Sequence, residues 1–102
     1  MSTYIRMAPK ERKAEILEAA LKVATVCGFT TFTRAQVADE AGISPASVNK
    51  YFTTMAQLRR DVMRAAVREG SLKLIAQGIV LGDKQALKAP DELKARALAS
   101  VR

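Results

Sequence analysis

The sequence contains no histidine, no tryptophan and a single cysteine, Cys27. One thiol excludes an internal disulfide, and without histidine a zinc site would lack its usual soft ligands, so neither metal nor cofactor is expected. The same absences bear on catalysis. With no histidine base, a lone cysteine at a helix end and no glycine-rich phosphate loop, no nucleophile and base can be paired, and the chain is not expected to be an enzyme. Long apolar runs are missing too. No stretch approaches the roughly 18 residues of a membrane span, and the start MSTYIRMAPKERK lacks the apolar core of a signal peptide. A soluble protein of the reducing cytoplasm, without a membrane partner, is the expectation.

Acidic residues are scarce: 10 Asp and Glu stand against 17 Lys and Arg in 102 residues, a formal charge of +7. A polyanionic partner follows from that balance more readily than an acidic substrate. Position sharpens it. Arg6, Lys10, Arg12 and Lys13 surround only Glu11. No acid occurs between Glu40 and Asp61, where Lys50, Arg59 and Arg60 are basic.

The apolar periodicity is helical throughout, and no strand alternation, internal repeat or long linker interrupts it. Pro9 suits a first helical turn, and Ile16, Leu17, Ala20, Leu21, Val23 and Ala24 recur at spacings of three and four, predicting a helix over 9–27 that ends at Gly28. Phe29 and Phe32 are apolar anchors for the core. Thr33 with Gln36 reads as a capping box opening a short helix from Arg34 through Ala41. Gly42 breaks it, and Ser44-Pro45 opens a third helix over about 45–51. Thr54 with Gln57 repeats the capping signal and starts a fourth, whose pattern runs to about Gln77 before Gly78. Asp83 suits the cap of a short turn, and Pro90 starts a last helix carrying Leu93, Ala97 and Val101. The fold class expected is all-α: a helix-turn-helix headpiece over 1–53, with the long fourth helix and a helical tail over 54–102.

Two short helices joined by Ala41-Gly42-Ile43 form a unit whose second helix fits a major groove about 12 Å wide. Asn49 suits adenine edges, Lys50 suits guanine O6 and N7, and the small residues Ala46 and Ser47 permit close approach; with Arg34 these are the candidate base contacts. Thr33, Ser44, Tyr51, Thr53, Thr54, Lys10 and Arg12 are the candidate phosphate contacts, as hydroxyls, helix starts and cations. Thr33 and Thr54 are equally explained as caps.

Gly28-Phe29, Thr33, Val37-Ala38, Ala41-Gly42-Ile43-Ser44, Tyr51-Phe52 and Leu58 together resemble the amino-terminal DNA-binding domain of the TetR family, over about residues 10–65. The resemblance implies a three-helix headpiece, dimeric binding to palindromic operators in double-stranded DNA, and repression of transcription. The chain departs from the family pattern at Asn49, where an aromatic is usual, at Met55, where a lysine is usual, and at Arg34, where an apolar residue is usual. The residues after Gly78 are also fewer than the family's ligand-binding domain, so a small-molecule inducer is not expected.

Within the predicted fourth helix, Leu58, Val62, Ala65 and Leu72 form one apolar row, and Met63, Val67, Gly70 and Leu74 another about 140° away. The first row serves the headpiece. The second, with Leu81, Leu93 and Val101, is the expected homodimer interface. An architectural or partition-type DNA-binding protein is the alternative, because the same headpiece serves both. A membrane-surface or protein-interaction role, using the row Arg60, Arg64 and Arg68, is a third reading.

Overall fold

A computed structural model describes residues 8–100, so Arg6 and Val101 lie outside the described residues. Among the described residues the chain forms α-helices only: α1 Pro9–Cys27, α2 Arg34–Ala41, α3 Pro45–Tyr51, α4 Met55–Glu69, α5 Leu72–Leu81, α6 Lys84–Leu87 and α7 Asp91–Ser100. The all-α class and the first three helices stand as the sequence predicts.

Local chemistry explains most of the helix starts. The Thr33 hydroxyl accepts the Gln36 N–H at 3.2 Å and the Gln36 side chain returns a bond to the Thr33 N–H at 2.9 Å, a complete capping box. Ser44 Oγ accepts the Ser47 N–H at 3.2 Å, with Pro45 in the first helical turn. Asp83 Oδ1 accepts from both Gln85 and Ala86, at 2.9 and 3.1 Å. Between α2 and α3 the turn closes through Gly42, at φ 72° and ψ 32°, and Ile43 donates its N–H back to the Ala38 carbonyl at 3.0 Å. That left-handed conformation carries no strain for glycine, and it fixes the corner between the two helices.

The long fourth helix does not exist as one element. Gly70 adopts φ 73° and ψ 34°, its N–H reaches the Ala66 and Val67 carbonyls, and Ser71 donates to Ala66 at 2.8 Å, which stops α4 and lets α5 start in a new direction. Periodicity alone carried the expected helix through this point. Gly78, expected to end the helix, instead lies buried inside α5, where a Cβ would stand 2.6 Å from both the Ala86 Cβ and the Met63 Cε. Its missing side chain is what lets α5 approach α4 and α6.

α1 packs on α2 and α4, and α2 packs on α3. α4 also contacts α5 and α6, and α5 carries α7, which draws the molecule out to 51 × 24 × 20 Å. One continuous core runs through it, from Ile16, Phe32, Val37, Val48, Phe52, Leu58 and Val62 at the front to Met63, Leu74, Ile75 and Ala97 at the rear. Phe29 and Phe32 are buried as expected.

The break at Gly70 overturns part of the expected second row. Met63 and Leu74 are fully buried in the chain's own core and present nothing to a partner. The reason is geometric: the row cannot continue at about 100° per residue through a left-handed residue, and the turn there packs α5 against α4, so that Met63 lies beside Gly78. Val67 and Leu93 are partly buried against the same core, Gly70 is exposed, and Leu81 is 54% exposed.

Candidate nucleic-acid interface

α3 has one fully buried side chain, Val48, and Tyr51 is partly buried against the same core. At about 100° per residue Ala46, Asn49 and Lys50 fall within one arc of roughly 100° on the opposite side, and all three are exposed. The helix therefore presents a short polar face held to the body by an apolar rivet. Ser47 and Tyr51 flank it and are partly buried. Ser47 Oγ lies 3.0 Å from Ser44 Oγ, so the two hydroxyls are already paired beside the helix start. The Lys50 ammonium lies 5.8 Å from the centroid of the Tyr51 ring, a cation–π contact that folds the lysine along the end of the helix.

Ser44, Thr33, Thr53 and Thr54 are exposed at the starts of α3, α2 and α4. Helix starts present N–H groups and positive dipole ends, both suited to phosphate. Thr54 Oγ1 accepts the Gln57 N–H at 3.1 Å, but the Gln57 side chain accepts from Thr53 at 3.2 Å rather than from Thr54, so the expected reciprocal box is shifted by one residue. Lys10 is exposed at the start of α1, while Arg12 is partly engaged in an ion pair with Glu15 at 3.1 Å.

Arg34 is not on the polar face of α3. It stands at the first position of α2, partly buried, and one terminal nitrogen of its guanidinium donates to the Thr53 carbonyl at 3.4 Å. Its Nε is buried without a hydrogen-bond partner. The structure thus brings Arg34 to the loop after α3 and leaves Ala46, Asn49 and Lys50 as the outward face of that helix.

Lys13, grouped in the sequence with Arg6, Lys10 and Arg12, sits on α1 with its ammonium 5.3 Å from the centroid of the Phe52 ring. Local spacing gives no signal for that contact or for the Arg34 bond. On the far side of α4 the row of arginines is partly neutralised: Arg60 pairs with Asp61 at 3.3 Å, Arg64 approaches the same carboxylate at 4.0 Å, and Arg64 also donates to Gln85 at 3.2 Å. No described helix is long and apolar enough to cross a membrane.

Residues 16–62 match the family model described as bacterial regulatory proteins, tetR family. The chain is similar to the uncharacterized HTH-type transcriptional regulator YfiR of Bacillus subtilis, at 38% identity over 64 residues, covering 63% of this chain and 31% of the relative. It is also similar to the HTH-type transcriptional regulator BetI of Brucella canis, at 38% identity over 65 residues, covering 64% of this chain and 32% of the relative. The chain thus matches about a third of the length of these curated relatives. No solved structure matches it significantly.

Proposed function

We propose that this chain, whose residues 16–62 match the family model of bacterial regulatory proteins, tetR family, is a sequence-specific repressor of transcription that binds double-stranded DNA as a homodimer in the cytoplasm. The observation that carries this reading is the α3 surface: Ala46, Asn49 and Lys50 exposed together opposite buried Val48, in a stretch from Glu40 to Asp61 with no intervening acid. Asn49 and Lys50 read base edges in the major groove, and Ala46 and Ser47 allow the helix to seat. Thr33, Ser44, Tyr51, Thr53, Thr54, Lys10 and Arg12 hold the backbone and fix register. Residues 1–53 form the reading head, and residues 54–102 join two copies.

The pairing surface we propose differs from a row along α4. Val80 is 78% exposed and Leu81 54%, both in the last turn of α5, and Leu98 on α7 is 43% exposed. Exposed side chains of this size on so small a chain favour burial against a second copy. A twofold dimer places its recognition helices about 34–36 Å apart, or a multiple, and reads an inverted repeat.

The test is selection of fragments from a randomised duplex pool by the purified protein, followed by sequencing. An enriched inverted repeat supports the repressor reading. Enrichment of arrays of sites supports the architectural alternative, and no enrichment over input overturns sequence-specific recognition.

A further inference from the structure

We propose that Lys13 of α1 and Arg34 of α2 act together as a phosphate clamp at the exit of the recognition helix, a role that rests on the DNA-binding reading above. Two cations from different helices converge on adjacent residues: the Lys13 ammonium lies over the Phe52 ring at 5.3 Å, and Arg34 donates to the Thr53 carbonyl at 3.4 Å. These residues form the loop between α3 and α4, and the exposed start of α4 follows at once with Thr54.

Among the described residues neither cation has a counterion. The ion pairs among the described residues use Arg12, Arg60, Arg64 and Lys94, and none uses Lys13 or Arg34. Arg34 is the more unbalanced of the two, since among the described residues its buried Nε has no acceptor and its guanidinium is bonded only to a neutral carbonyl. A partly desolvated guanidinium without an anion is unfavourable, and an arriving phosphate supplies the missing charge. Lys13 is held in advance by the aromatic ring, so less side-chain freedom is lost when phosphate binds. The N–H groups at the start of α4, a helix of 15 residues, add donors at the same place. The clamp grips the DNA strand just beyond α3 and carries no sequence information of its own.

Because phosphate contacts are independent of sequence, the experiment uses a random-sequence duplex and measures affinity against salt for the parent, Lys13→Gln, Arg34→Gln, Arg34→Lys and Lys22→Gln. Lys22 is exposed nine residues along α1, about half a turn round the helix from Lys13, and serves as the charge control. The expected result is that Lys13→Gln and Arg34→Gln each make the slope of log affinity against log salt shallower by about 0.9. Arg34→Lys restores most of that slope, and Lys22→Gln leaves it at the parent value. Circular dichroism melting identifies any variant that fails to fold. If Arg34→Gln unfolds, the exposed Lys13 decides alone. A parent that binds with a steep slope, and a Lys13→Gln slope equal to it or to that of Lys22→Gln, overturns the clamp and leaves DNA binding intact. A parent that does not bind duplex at all removes the DNA-binding reading and the clamp with it.

Discussion

The backbone N–H of Phe29 donates to the side-chain oxygen of Gln77 at 2.8 Å, across 48 residues of sequence. Phe29 lies in the turn after α1 and Gln77 on α5, so this bond ties the front of the molecule to the segment beyond the break at Gly70. Gln77→Ala leaves a partly buried N–H without its acceptor, and a loss of about 1–3 kcal/mol is expected in chemical denaturation. Gln77→Glu keeps an acceptor oxygen and should lose less.

Gly78→Ala tests the close approach of α5 to α4 and α6. The added methyl meets the Ala86 Cβ and the Met63 Cε at 2.6 Å each, and although the methionine end can move, the Ala86 Cβ can move only with the backbone. Overpacking of this kind costs about 1–3 kcal/mol. A melting temperature equal to the parent's would show that the helices separate freely here.

Asn49→Ala and Lys50→Ala should each relax sequence choice by about 1–3 kcal/mol if the contact is bidentate, measured as the affinity ratio between the selected duplex and a scrambled one. Neither change touches the core, so the melting temperature should stay at the parent value. Unchanged discrimination in both variants would move the reading surface off α3.

Leu81→Asp and Val80→Asp should convert a dimer to a monomer in sedimentation while leaving the fold intact, because both side chains are largely exposed in the single chain. Met63→Asp and Leu74→Asp place a charge in the core and should unfold it. A parent that sediments as a monomer at micromolar concentration and on DNA would remove the dimer.

The parts of this fold that were legible in the sequence are the parts governed by near neighbours. The caps Thr33, Ser44 and Asp83, the corner glycine Gly42 and the polar face of α3 all follow from residues within one helical turn of each other. Gly70-Ser71 is equally local, a helix stop followed by a helix start, but the apolar period continues across it and the stronger pattern masked the weaker one. Gly78 failed for the opposite reason. It resembles a terminator, and only Ala86 and Met63, brought close by the packing of α5 on α4 and α6, explain why a glycine belongs inside a helix there. The bonds of Arg34 to Thr53 and of Phe29 to Gln77 span 19 and 48 residues, distances over which no periodicity or capping rule acts. For that reason the outward face of α3 was readable, whereas the side chains that hold the loop behind it were not.

Phe52 and Thr53 are held from three directions, by Lys13, Arg34 and Gln57, whereas Ala46, Asn49 and Lys50 project from α3 on the side away from Val48. The mounting and the reading surface are therefore built from different residues. On the proposed reading, substitutions at 46, 49 and 50 would change the DNA sequence bound without disturbing the folded scaffold. The same separation makes these positions the natural ones to randomise when a new DNA target is sought.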